Sequence, residues 1–273
     1  MSETLFKKYN VPVPRYTSYP TANSFGPFDE TDYLKAVETS NDATADNISF
    51  YIHVPFCRHL CHYCGCNSVA MAKPDCITEY FETLHKEIDL LLPHLRKDRR
   101  ISQIHYGGGS PSSMPLHFIR SINEHLLSAF ETIDWPEIAI ECHPGYLKEE
   151  DWHYLLDSGF NRFSLGIQDF NDEVLRCVNR QPALLPVETI MKILREGGAK
   201  VNFDFIYGLP KQSVSAFVST IKKAISLRPD RLVTFSYAHL PSLFKRQMIL
   251  EKAGLPSQNA VSYTHLRAHE TKA

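Results

Sequence analysis

The sequence has no run of ~18 or more apolar residues, so it carries no signal for a helix long enough to cross a bilayer. Net charge is scarce too. Its 29 basic and 31 acidic side chains leave −2, which excludes nucleic-acid binding by bulk electrostatics. Internal repeats and low-complexity tracts are missing, so solenoid and disordered classes drop out. The opening residues MSETLFKKYN lack the apolar core of a secretory signal, and the cytoplasm is the expected location. With 43% hydrophobic and 22% charged residues, the composition is that of a globular protein with a sizeable core.

Cysteine is present but uneven. Of seven cysteines, four fall between Cys57 and Cys66, while Cys76, Cys142 and Cys177 are scattered. A secreted disulfide scaffold would be shorter and more evenly spaced. Tight clustering points instead to metal binding or redox chemistry. The scattered three are expected to be buried small side chains.

Residues 1–47 are polar and Pro-rich and read as an irregular arm with one short helix near Asp32–Thr39. From there to about residue 258, β-rich runs at Ile48–Val54, Ile101–Tyr106, Glu137–Cys142, Arg162–Gly166, Lys200–Ile206 and Arg231–Ser236 alternate with helical stripes. Ile77, Tyr80, Phe81, Leu84, Ile88 and Leu91 recur at helical spacing. A second stripe is Val187, Ile190, Met191 and Leu194 behind Pro186; a third is Phe217, Ile221 and Ile225 behind the caps Ser213 and Ser215. Alternation of this kind implies an α/β fold with a parallel sheet and a functional face at the C-terminal ends of the strands. A doubly wound open sheet is the other arrangement it permits, although no GxGxxG follows the first strand. Residues 259–273 have no clear period and read as a non-native tail; His265 and His269 are a weak metal-ligand pair there.

The cluster Cys57-x3-Cys61-x2-Cys64 directly follows the first strand. Three thiolates at this spacing suit three irons of a [4Fe–4S] cubane, leaving the fourth iron open to a small-molecule ligand such as S-adenosylmethionine (SAM). The competing assignment is structural zinc, with Cys66 and His59 or His62 completing a tetrahedron. A fourth thiolate would close the open iron, so Cys66 is read as a neighbour rather than a ligand. Other polar residues fall at strand ends. Gly107-Gly108-Gly109-Ser110 would let backbone approach a ligand, or simply turn strand into helix. Glu141 alone would more often be a solvated strand end, and Arg180 a surface ion pair or a bidentate carboxylate clamp. Asp204, among apolar neighbours in VNFDFIYG, needs a partner. His59, His62 and His105 are read as packing or hydrogen-bonding groups.

Cys57-x3-Cys61-x2-Cys64 is the radical SAM signature. Together with Pro14-Arg-Tyr-Thr-Ser-Tyr-Pro-Thr21, Cys66, Asp204-Phe-Ile-Tyr-Gly-Leu-Pro210 and Tyr237-Ala-His-Leu-Pro241, the chain resembles the oxygen-independent coproporphyrinogen III oxidases over residues 8–258. The resemblance implies a radical SAM partial (β/α)6 barrel over residues 48–258. It also implies oxidative decarboxylation of two propionates of coproporphyrinogen III to vinyls, with SAM split to methionine and 5′-deoxyadenosine. An electron donor is implied; nucleic acid and membrane are not, and a monomer is expected. Tyr51, Tyr63, Gly108, Gly109, Ser110 and Glu141 resemble residues contacting the cluster-bound SAM, and His53 joins Tyr51 on one side of the first strand as a catalytic candidate. Gln168, Arg180 and Asp204 resemble contacts to a second SAM, and Ala238 a backbone contact. A heme-binding chaperone on the same barrel is the alternative. The family continues into a helical C-terminal domain that this sequence does not include, so the chain reads as truncated. The expectation is that it holds a cluster yet does not turn over.

Overall fold

The computed structural model describes residues 8, 21, 24–42, 46–257, 259–261 and 264. The arm motif at residues 14–20, together with His265 and His269, lies outside the described residues. The helix expected near residue 32 is α1 (Glu30–Thr39), whose first turn is capped by Asp29 accepting from the Asp32 N–H at 2.9 Å.

Eight strands follow among the described residues. Six form one sheet: β1 (Asn47–Val54), β4 (Arg100–Gly108), β5 (Thr132–Cys142), β6 (Arg162–Gln168), β7 (Lys200–Tyr207) and β8 (Arg231–Ser236). Their spatial order is β1-β4-β5-β6-β7-β8 and every pairing is parallel. Strand order therefore never reverses. A doubly wound sheet must reverse at a switch point, so the structure selects the barrel-type winding. β1 and β8 are not paired with each other and remain edges, which makes the barrel partial. The sequence did not indicate the small second sheet, β2 (Phe56–Cys57) with β3 (Val69–Ala70).

Helices cover one face. They are α2 (Pro74–Leu91), α3 (Leu116–Ala129), α4 (Glu149–Asp157), α5 (Asp172–Cys177), α6 (Val187–Glu196), α7 (Val214–Ser226) and α8 (Met248–Lys252). Ser213 caps α7 by accepting from the Ala216 N–H, as its sequence position suggested. Alternate strand residues, among them Ile104, Tyr106, Ile140, Phe163, Leu165, Phe203 and Phe205, are fully buried against these helices. Burying each such side chain is worth about 1.5–3 kcal/mol. Strand pleating sends the intervening residues to the opposite face. There the register sets Tyr51 beside His105, Glu141 beside Ser164, and Gly166 beside Asp204. Among the described residues no helix is long and apolar enough to cross a membrane.

Candidate functional site

The cysteine loop is pinned at its base. β2 and β3 close it, with Val69 N–H donating to Pro55 O at 2.9 Å and Met71 N–H to Cys57 O at 2.9 Å. The loop after β4 packs directly beneath: Gly109 N–H donates to Val54 O at 2.8 Å and Ser110 N–H to Phe56 O at 3.0 Å. A Cβ on Gly109 would lie 2.4 Å from Pro55 O, and Gly108 has φ +114° with the His53 ring 2.7 Å from where its Cβ would be. These glycines are required because the chain presses against its own cysteine loop, a stricter demand than a plain turn.

Two more segments grip the same loop. His62 N–H donates to Val178 O at 3.0 Å, and Asn179 Nδ2 donates to Leu60 O at 3.1 Å. Arg180, buried, donates from one guanidinium nitrogen toward Cys61 Sγ (3.6 Å) and the Tyr63 hydroxyl (3.2 Å), and from another to Gly166 O. From the segment after β8, Arg246 donates to Cys64 O at 2.6 Å, while Gln247 donates to Tyr63 O at 3.1 Å and Ala238 O at 3.2 Å. The thiols differ accordingly. Burial, then the neighbouring Cys64 and Cys61, push the Cys57 thiol up to about 11. Hydrogen bonding from Cys66 draws Cys64 down to about 6, with Arg246 adding to the effect, and Cys66 as the donor is pushed up.

Cys57, Cys61 and Cys64 open on a cavity of about 170 Å³ at the C-terminal ends of the strands. Its walls include Tyr63, Gly108, Gly109, Ser110, Glu141, Gln168, Arg180 and Asp204. Glu141 lies 3.4 Å from His105 Nε2, over Gly107, where the Tyr51 hydroxyl also sits. Asp204 accepts from Ser164 Oγ at 2.6 Å and from Asn202 Nδ2 at 2.9 Å, which supplies the partners a buried acid needs; burial still raises its carboxyl above the ordinary aspartate range. Gln168 has φ +66°, unusual for a non-glycine residue, and its buried Oε1 has no partner among the described residues. Such strain and such orphaned acceptors concentrate where a ligand belongs.

The radical SAM superfamily pattern matches residues 51–224. The chain belongs to the radical SAM superfamily. It is 40% identical over 255 residues to the oxygen-independent coproporphyrinogen III oxidase of Salmonella typhimurium, a match spanning 93% of this chain and 55% of that protein. The corresponding Helicobacter pylori protein is 35% identical over 256 residues, 92% of this chain and 56% of the relative. The solved coproporphyrinogen III oxidase of Escherichia coli, described as a radical SAM enzyme, superposes with TM-score 0.86 at 36% identity, covering 99% of this chain and 59% of that one. Archaeal Elp3 from Methanocaldococcus infernus, at TM-score 0.53 and 14% identity, shares the fold alone. The chain thus spans about half the length of the curated relatives it matches.

Within this radical SAM barrel, the three signature cysteines and eight of the expected SAM-contacting residues line one cavity. Tyr51 and His53 stand beside it on β1, sharing a face as expected, with the Tyr51 hydroxyl 3.1 Å from His53 Nδ1. Ala238 is exposed after β8 and touches the site only through its carbonyl bond to Gln247. His105 stacks on Tyr51 and His59 bonds Tyr146, the hydrogen-bonding parts expected of them. Cys142 is buried, but Cys76 is exposed and Cys177 only half-buried. Cys76 falls outside the Ile77, Phe81 and Ile88 stripe that α2 buries, so its hydrophobicity alone was misleading. Sequence reasoning missed Arg246, Gln247, His143 and Tyr146, none of which lies in a spaced motif. Among the described residues no three His, Cys, Asp or Glu side chains are gathered closely enough to hold a single ion.

Proposed function

We propose that this chain acts in heme biosynthesis as a radical SAM oxidase of coproporphyrinogen III. In this reading Cys57, Cys61 and Cys64 hold a [4Fe–4S] cluster and SAM occupies the fourth iron. The observation that carries the proposal is the shared cavity, which joins the signature cysteines to Glu141, Gln168, Arg180 and Asp204. The printed names of the relatives support the substrate.

When bound, the cluster and SAM would supply the one-electron chemistry that removes a hydrogen atom from a propionate β-carbon; loss of CO2, with one electron passing to an external acceptor, would leave a vinyl. Two such events would give protoporphyrinogen IX and consume SAM as methionine and 5′-deoxyadenosine. The protein's residues bind, orient and shield. Glu141 would contact the cluster-bound SAM, while the Gly107–Gly109 backbone, which has no room for side chains, would let its methionyl part approach closely. Tyr63 packs beside the cysteines. Gln168, Arg180 and Asp204 hold polar groups of a second SAM, the Gln168 Oε1 gaining the donor it lacks. Ala238 adds a backbone contact. Tyr51 and His53, tied to each other and to Asn67 O through His53 Nε2 at 2.9 Å, hold the reacting end in place. An external electron donor starts the reaction.

The test is an anaerobic assay of reconstituted protein with coproporphyrinogen III, SAM and a reductant. Vinyl products with 5′-deoxyadenosine would establish the activity in this chain and overturn the expectation that it holds a cluster yet does not turn over. Tight heme binding with no decarboxylation would favour a heme-carrying role on the same fold.

A further inference from the structure

His143 lies just beyond β5 and lines the cysteine cavity without belonging to any motif. It is 6% exposed. Its Nδ1 accepts the Gly145 backbone N–H at 3.1 Å. A neutral imidazole carries one proton, so with Nδ1 serving as acceptor the proton belongs on Nε2. Burial, with Arg180 nearby, keeps the ring neutral by pushing its pKa down to about 2. The outcome is a fixed tautomer presenting Nε2–H, and Nε2 is buried with no partner among the described residues. An N–H left in that state costs about 1–3 kcal/mol, so an acceptor is wanted.

The surroundings say which acceptor. Tyr146 stacks on the His143 ring at 4.0 Å, and its hydroxyl is 2.8 Å from His59 Nδ1. The Arg58 guanidinium lies 5.2 Å from the Tyr146 ring centre. Arg58 and His59 both belong to the stretch between Cys57 and Cys61. The His143 ring is therefore clamped to the side of the cavity where the first two thiolates stand, and the acceptors that a cluster brings there are sulfur atoms. Hydrogen bonds to cluster sulfurs favour the more negative, reduced state.

We propose that His143 donates its Nε2–H to a sulfur of the [4Fe–4S] cluster and raises its reduction potential, acting as a positioning and tuning residue. The inference rests on the reading that this cavity holds the cluster. The experiment compares His143→Leu and His143→Gln with the native protein, all reconstituted anaerobically, by redox titration followed by electron paramagnetic resonance. Both variants lose the acceptor for Gly145 N–H; only Gln keeps a donor near the Nε2 position. The expected result is a potential shifted negative in His143→Leu and returned toward native in His143→Gln. In reduced native protein labelled with 15N-histidine, pulsed resonance should also show coupling to a histidine nitrogen and an exchangeable proton. Equal potentials in all three proteins, equal shifts in both variants, or no such coupling in the native protein would overturn the inference. Native protein that takes up no cluster would instead overturn the reading of the site itself, and the inference with it.

Discussion

The two faces of the same six strands do different work. On the helix-covered face Tyr106, Phe163, Phe203 and Phe205 are fully buried. One residue along each strand, the open face carries His105, Glu141, Ser164, Asn202 and Asp204, most of them hydrogen-bonded to one another. The difference shows how a parallel sheet separates stability from chemistry by pleat alone. Apolar residues anchor one side, so the other side can hold polar groups that would be costly in a core. The cysteine loop sits where the open face meets the strand ends, gripped by elements from both halves of the sheet.

That separation predicts effects of graded size. Cys61→Ala should abolish uptake of iron and sulfide on anaerobic reconstitution while leaving far-UV circular dichroism unchanged; a variant that unfolds would blur the distinction between the faces. Trp152→Ala, on the fully buried side of α4, should cost about 3–5 kcal/mol in urea denaturation. Tyr106→Phe removes the hydroxyl that donates to Asn123 Oδ1 at 2.7 Å and leaves that buried oxygen without its donor, for a loss of about 1–3 kcal/mol.

An effect of opposite sign belongs to the open face. Burial raises the folded pKa of Asp204. A carboxyl raised in this way favours the fold at pH below the ordinary aspartate range and loses that contribution as pH climbs through the raised value. Cluster-free Asp204→Asn should therefore gain stability over the native protein as pH rises from acid to neutral. A pH series of denaturation curves checks this, and a gap independent of pH would contradict it. The smallest effect is expected for Trp135→Gln, at a side chain 90% exposed at the start of β5, which should fall within ~0.5 kcal/mol of native.

Much of this was legible in the sequence because its signals are local. All six main strands stand within a few residues of their expected bounds, since period-2 burial and flanking turns are written into each segment. Cys57, Cys61 and Cys64 declared themselves by spacing. Gln247 and Arg246 did not, because what they do is reach 184 and 182 residues back to Tyr63 and Cys64, and no local pattern encodes such a contact. His143 was invisible for a related reason: its tautomer is set by Gly145 and its orientation by Tyr146, so its chemistry exists only in the folded loop. Asp204 lies between these cases, since the strand made a partner necessary and only the register β6–β7 supplied Ser164.

The most direct measurement is the resonance spectrum of the reduced, anaerobically reconstituted chain before and after SAM is added. An iron left open by three thiolates should give a [4Fe–4S] signal that changes on SAM addition. A signal indifferent to SAM, or a colourless protein holding one zinc and no iron, would contradict the account.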